Sequence, residues 1–363
     1  MRDSEEKIKM KFNKNLLIGL LRRSWSFLFL IILTAFFSVV GKGFFSFENL
    51  QNILLLSSVT MLLAMGQTFV IISGGFDLSV AYISGLATVV AAQLMKMMNI
   101  AGINPVIIII TGFIAGVSIC IVPGFINGFI IARFKISPLI VTLGIYGICR
   151  GAALIISSGY PIGKQPQLLG RIGNGYLLYF LPGEGFSFWN VPNDLPQERM
   201  REIVQIIPYP VIILLICLVI LHFVLSRTRF GLYTYIIGGN EESARRTGID
   251  VDKHKIRIYI LSAVIAGIAG MIYCMRYTSG SATSGEPKLL DSIAAVVIGG
   301  TSLSGGSGTI IPGTLIGTLI IAVLQTGLVS MAVSPYYQFL AVGSVIIVAV
   351  IVDQLFPSVY SIQ

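Results

Sequence analysis

Residues 292–352 form a run of 61 consecutive amino acids without a formal charge. Each crossing of a bilayer takes about 20 apolar residues, so this run has room for more than one. The rest of the chain agrees. Of 363 residues, 55% are hydrophobic and 11% charged, with a mean hydropathy of +0.87, whereas a soluble domain carries roughly 25% charged residues. These figures exclude a soluble globular fold, and the expectation is an all-α polytopic membrane protein.

Ten apolar stretches carry that expectation: residues 26–41, 50–73, 78–95, 106–131, 138–157, 208–226, 258–275, 292–303, 310–328 and 336–352. The first follows a basic segment and resembles a signal peptide. Residues 41–50 read GKGFFSFENL, with no small-x-small cleavage site, so the stretch is taken as a retained first span. Residues 292–303 cover only about 18 Å as a helix, too short for a core of about 30 Å. They are read as a half-span that ends in the glycine-rich run 299–308. Such a break is tolerated at membrane depth only where protein buries it or water lines it, as inside a transporter. A second break is expected at residues 74–79, GGFDLS. The shared Gly-Gly-x-x-Leu-Ser pattern is compatible with an internal duplication or with chance. The helix-breaking glycines are Gly74, Gly75, Gly299, Gly300, Gly305 and Gly306.

The 25 Lys and Arg against 16 Asp and Glu would suggest nucleic acid as a partner in a soluble protein. In a membrane protein basic residues gather on the cytoplasmic side instead, so membrane lipid and not nucleic acid is the expected contact. With the N-terminus inside, 16 basic residues fall in inside loops and 8 outside, and Arg150 lies within a span. Both termini are therefore expected in the cytoplasm. Residues 1–25 form a basic cytoplasmic segment and residues 26–363 the transmembrane domain, with an outer loop at 158–207 and an inner loop at 227–257.

The inner loop contains GGNEESARRTGIDV. Asn240 is a good N-cap, Glu241 and Glu242 occupy the first turn, where the macrodipole favours negative charge, and Ser243 and Ala244 follow. Arg245 and Arg246 complete two favourable i,i+4 pairs, and Gly248 supplies a left-handed stop. The pattern predicts a two-turn capped helix, either a docking element or a solvated connector. In the outer loop, Tyr176, Tyr179, Phe180, Phe186, Phe188 and Trp189 suit the headgroup level. Met200, Ile203, Val204 and Ile207, behind an Asn193/Asp194 cap, have the spacing of an interfacial amphipathic helix.

Polar groups inside spans are costly and need an account. Gln67, Asp77, Asn127, Arg150 and Gln325 are the candidates for a translocation path. Each has a structural alternative: a helix cap for Asp77, outward snorkelling for Arg150, and interhelical hydrogen bonds for the three amides. The glycine run lacks the Gly-Lys-Ser/Thr of a P-loop, and no catalytic triad or metal-site spacing is visible. No catalytic residue, metal or cofactor is therefore assigned to this chain. Cys120, Cys149, Cys217 and Cys274 all fall in apolar stretches and read as small core residues.

Four segments resemble the ribose-type permease subunits of bacterial ABC sugar importers, in the branched-chain amino acid/ribose permease superfamily. They are GGFDLSV at 74–80, GFINGFIIARFKISPLIVTLGIYGICRG at 124–151, GGNEESARRTGIDVDKHKIRIYILSAVIAGIAGMIY at 238–273 and DSIAAVVIGGTSLSGGSGTIIPGTLIGTLI at 291–320. The resemblance covers most of residues 50–355. It implies a pore of two permease subunits, identical or closely paralogous, in the bacterial cytoplasmic membrane. It also implies a separate ATP-binding subunit with two cassettes, which would hold ATP and Mg, and an extracytoplasmic solute-binding protein or lipoprotein. By the same resemblance, residues 240–248 look like the coupling helix that docks on the ATPase. Two positions depart from the family pattern. Ser243-Ala244 stands where two alanines are common, and Lys288-Leu289-Leu290 stands where Tyr-Glu-Leu is common. The second lies near the expected outer mouth and, with a long outer loop, leaves the solute open between a monosaccharide and a nucleoside or furanosyl signal. An ion-coupled secondary transporter or a non-transporting scaffold are the alternatives from other classes.

Overall fold

The computed structural model describes residues 25–183, 185–188 and 203–355. Residues 1–24 of the expected basic segment 1–25, with Trp189, Asn193, Asp194 and Met200, lie outside them. The described chain is mostly helical. It runs α1 (Trp25–Val40), α2 (Phe47–Ile72), α3 (Val80–Ile100), α4 (Pro105–Ile119), α5 (Ile121–Phe134), α6 (Pro138–Ser157) and α7 (Gln167–Asn174). Three short strands follow: β1 (Tyr176–Leu181), β2 (Gly185–Phe188) and β3 (Val204–Pro208). Then come α8 (Tyr209–Arg227), α9 (Arg229–Gly239), α10 (Glu241–Arg246), α11 (Val251–Tyr277), α12 (Leu289–Ile298), α13 (Leu315–Ser330) and α14 (Pro335–Leu355). A 3-10 turn at Glu286–Lys288 precedes α12, and a π turn at Ile310–Thr314 opens α13.

Seven of the described helical segments are long and apolar enough to cross a membrane, α4 and α5 counting together as Pro105–Phe134. In hydrocarbon the backbone must pair within its own segment, which is why these apolar stretches are helices. Their ends carry the expected signals. Ser46 accepts from the N–H of Asn49 to cap α2, and Asn104 accepts from that of Val106, with Pro105 opening α4.

Two expectations are corrected. The protein is not all-α, because β2-β1-β3 form an antiparallel sheet in which Leu178 faces both Phe188 and Ile206. Residues 204–207 belong to that sheet and not to an amphipathic helix. A run rich in β-branched residues beside a partner strand satisfies its backbone by pairing, which overrides the i,i+3,i+4 pattern. The sheet sits at the start of α2, where Gln51 Nε2 donates to the carbonyl of Gln205.

The core is built around α2, α3 and α11, and α11 packs against α2, α3 and α5. Close approach to α5 depends on Gly124 and Gly128, one helical turn apart. A Cβ on Gly124 would lie 2.7 Å from Ala263 Cβ, and one on Gly128 2.5 Å from Ile256 Cα. Without a hydrophobic force between helices in lipid, such small-residue stripes let backbones make van der Waals contact. Cys120, Cys149 and Cys274 are buried free thiols, while Cys217 is half-buried.

Both expected helix breaks are present and are built alike. The N–H groups of Gly74 and Gly75 return to the carbonyls of Ile71 and Val70, both at 2.9 Å. Those of Gly300 and Thr301 return to Val297 and Val296 at 2.8 and 3.1 Å. Gly74 at φ +77° therefore corresponds to Gly300 at φ +85°. The geometric equivalence is offset by one residue from the shared Gly-Gly-x-x-Leu-Ser pattern, in which Gly74 would align with Gly299.

Gly128→Ala should lower the melting temperature of the detergent-solubilised chain, with a cost of about 1–3 kcal/mol for overpacking. Gly144→Ala, where an added Cβ meets nothing within 4 Å, should leave it unchanged. Equal melting curves for the two variants would contradict the close α5–α11 contact.

Candidate functional site

The short helix α10 forms where the inner-loop pattern places it. Asn240 is extended, at φ −160°, and its side chain accepts the Ser243 N–H at 2.9 Å. Gly248 at φ +84° ends the segment. Ala244 is fully buried and rests on Ile237, Ile249 and Val251. Glu241 and Arg245 are 3.0 Å apart, and Glu242 and Arg246 2.6 Å. Two further ion pairs, which spacing within the helix could not show, tie α10 to α11: Lys255–Glu241 and Arg245–Asp252, both 2.5 Å. Burial of Glu241 alone would push its carboxyl up. The hydrogen bonds and charges of Lys255 and Arg245 outweigh it and hold the pKa below the usual glutamate value. Exposed ion pairs contribute little individually, so the Asn240 cap and the Ala244 underside fix the helix. Glu242 and Arg246 point into solvent with side chains about three-quarters exposed, at 76% and 77%.

The root of α10 is a glycine junction. Gly238 lies so close to the end of α2 that a Cβ there would be 1.6 Å from the Ile72 carbonyl oxygen. The same oxygen accepts the N–H of Gly306 at 2.8 Å. Gly305 packs on Gly238 and Gly74, and Gly306 on Gly239. Tyr235 donates its hydroxyl to the Gly308 carbonyl at 2.7 Å. Gly74, Gly305 and Gly306 therefore meet at the point where α10 begins. Gly75 packs instead under the Tyr259 hydroxyl, while Gly299 lies against Gly313. Sequence reading missed Gly238 and Gly239 as members of the junction, although GGN at 238–240 was the available signal.

The five polar candidates separate into three environments. Gln67, Asp77 and Asn127 come together and are fully buried. Asp77 Oδ1 accepts from the Ser79 N–H at 3.0 Å and the Ser79 hydroxyl at 2.5 Å, while Oδ2 accepts from Ser262 at 3.1 Å. Asn127 Nδ2 donates to Ser79 Oγ at 2.8 Å, and Gln67 Nε2 to the Asp77 carbonyl. Thr142 Oγ1 accepts the Leu78 N–H at 3.2 Å. This network pins the α2–α3 break to α5, α6 and α11; Asp77 bonds Ser79 just ahead of α3 and no N–H within that helix. Gln325 makes an interhelical contact, donating to Asp291 Oδ2 at 2.9 Å beside Lys288 at 3.4 Å. Arg150 alone of the five is exposed. Its guanidinium lies over the Tyr82 ring, 5.5 Å from the centroid.

Comparison with known proteins identifies the family of the chain. Residues 49–352 match the family described as "Branched-chain amino acid transport system / permease component". The chain is 38% identical to the ribose import permease protein of Bacillus subtilis (strain 168) over 338 residues, 93% of this chain and 94% of the relative. It is 35% identical to the ribose import permease protein of Haemophilus influenzae, over 90% of this chain and 92% of that one. The D-allose transport system permease protein of Escherichia coli (strain K12) is 35% identical over 91% of this chain and 90% of its own length. These relatives are transport permease subunits by name.

The lowered Glu241 pKa fixes a sign. A carboxyl depressed in the folded state adds stability above its unfolded pKa, and this is lost as pH falls through the folded value. Protection factors for amide exchange of residues 241–246, taken against the intrinsic rate at each pH, should therefore hold from neutral pH through the ordinary glutamate range and fall only below it. Glu241→Gln should lower protection about two- to fivefold at neutral pH, the scale of a partly exposed ion pair, and remove its pH dependence. Protection independent of pH in the native chain would contradict the clasp.

Proposed function

Because the chain belongs to the branched-chain amino acid transport system / permease component family, we propose that it is the membrane subunit of an ATP-driven monosaccharide importer. In this reading two permease copies, identical or closely paralogous, enclose the pore in a bacterial cytoplasmic membrane. Each crosses about ten times with both termini inside. A partner subunit with two nucleotide cassettes binds ATP and Mg, and an extracytoplasmic binding protein or lipoprotein delivers the sugar. The names of the relatives, ribose and D-allose permeases, support a pentose or hexose as cargo. The Lys288-Leu289-Leu290 departure keeps a nucleoside or furanosyl solute as the second reading. Ion coupling has less support, because the buried carboxylate Asp77 is already held by Ser79 and Ser262.

The observation that carries the proposal is α10: a capped helix with Ala244 beneath and Glu242 and Arg246 projecting, rooted where both helix breaks meet. A groove on the ATPase that engages α10 would move the junction with it. Uptake is driven only if the two pore states hold solute and ATPase differently.

Reversing the outward pair with Glu242→Lys and Arg246→Glu inverts the projecting charges but keeps an intrahelical pair. In the importer reconstituted with its ATPase and binding protein, uptake and solute-stimulated ATP hydrolysis should both fall at least about tenfold, the scale of misplaced interface charges. Membrane insertion and melting temperature should not change. Undiminished uptake in this double variant would refute docking through α10.

A further inference from the structure

The segment between α11 and α12 does not stay at the surface. Gly280 packs on Ala92 of α3, Ser281 exchanges hydrogen bonds with Thr88 at 3.0 and 2.8 Å, and Gly285 reaches Ala81. A Cβ on Gly85 would lie 2.0 Å from the Ala282 carbonyl, and one on Gly285 2.4 Å from that of Ala81. The chain thus descends beside α3 from Ala92 to Ala81, about 16 Å along the helix axis. Non-helical backbone at this depth is tolerated where protein buries it or where it lines water.

At the bottom of the descent stands an exposed carboxylate. Glu286 Oε2 accepts the hydroxyl of the buried Tyr82 at 2.9 Å. The other side of Tyr82 carries the Arg150 guanidinium, and the half-buried Tyr146 meets its ring edge-on at 4.5 Å. Among the described residues Arg150 and Glu286 form no ion pair with each other or with any other group. An unpaired guanidinium and carboxylate on one exposed face of a membrane protein do not belong against acyl chains. Nor does Arg150 snorkel, because its charge is turned onto Tyr82.

We propose that Arg150, Glu286 and the Tyr82–Tyr146 pair form the half-site in which one permease subunit holds a neutral, polyhydroxylated ring solute on its way through the pore. This rests on the importer reading above. Arginine brings donors in a planar fork, and the carboxylate brings acceptors, which together suit neighbouring hydroxyls of a sugar ring. The Tyr146 ring offers an apolar surface for the C–H face of the sugar. The two charges sum to zero, so the half-site gives no net electrostatic attraction to a cargo of either sign. The second permease copy supplies the facing wall.

The test uses the assembled importer in proteoliposomes, with D-ribose and D-allose as probes. Arg150→Gln and Glu286→Gln should each reduce uptake at least about tenfold, the scale of a lost charged hydrogen bond, and should change the ratio between the two sugars. ATP hydrolysis stimulated by the loaded binding protein should persist, because α10 is untouched. Unchanged uptake and sugar ratio overturn the half-site, as does loss of the paired permease assembly, which would make these charges contacts between copies. If the unmodified importer carries neither sugar, the monosaccharide reading fails, and a second measurement judges the half-site by itself. Glu286→Cys in a Cys217→Ser background is exposed to a membrane-impermeant thiosulfonate. Rapid labelling supports a water-facing half-site, and absence of labelling overturns it.

Discussion

The Ile72 carbonyl oxygen accepts the Gly306 N–H at 2.8 Å at a place where no side chain fits. Three separate parts of the chain must come within backbone contact for that bond to form: the end of α2, the end of α9 and the loop after α12. In a bilayer a chain can leave the helix only if its freed N–H and C=O groups find partners in neighbouring protein. Each break here turns most of its N–H groups back onto its own helix end, and the Gly306 bond to Ile72 joins the two. Removing the close approach at Gly238 would therefore disturb both breaks and the base of α10 together.

Polar groups are arranged around this frame according to whether they are sealed or open. Asp77, Gln67 and Asn127 are closed over by Ser79, Thr142 and Ser262, so their hydrogen bonds join four helices and the α2–α3 break into one unit. Gln325 and Asp291 do the same for α12 and α13. Sealed networks of this kind raise the cost of any rearrangement within the subunit. Arg150 and Glu286 are different, because their unused hydrogen-bonding capacity is exposed, whereas the unpaired Gln67 Oε1 and Asn127 Oδ1 are buried within the network. In the proposed two-copy pore, motion between the copies would change the surroundings of the open pair without disturbing the sealed ones.

Much of the fold was legible from local chemistry. Asn240, the two glutamates, the two arginines and Gly248 specify α10 within nine positions, because capping, dipole and i,i+4 effects all act over one or two turns. The glycine breaks were legible for the same reason. What escaped was tertiary. The Lys255 and Asp252 clasps, the meeting of Gly238 with Gly306, and the descent that carries Glu286 to Tyr82 join residues remote in sequence. The strand at 204–208 escaped because its apolar spacing fits a helix equally well, and only the presence of β1 beside it decides. Gln67, Asp77 and Asn127 were recognised as needing partners, but their partners Ser79, Thr142 and Ser262 are ordinary residues until the helices are packed.

The half-span α12 gives these observations a mechanical relation. Its ten residues, Leu289–Ile298, extend about 15 Å. The 3-10 turn bearing Glu286 opens directly into its first turn, and the glycine loop rooted at α10 leaves from its last. A full-length span would place these two features on opposite faces of the membrane, separated by a bilayer's thickness of helix. A half-span brings them closer and is bounded by a glycine at each end, Gly285 packed on Ala81 on one side and Gly300 at φ +85° on the other. Interfaces and packed cores shift between discrete arrangements, so a displacement at the junction moves α12 as a body. The short helix that looks deficient as a membrane span is thus the right length to join the glycine junction at the base of α10 to the turn that bears Glu286.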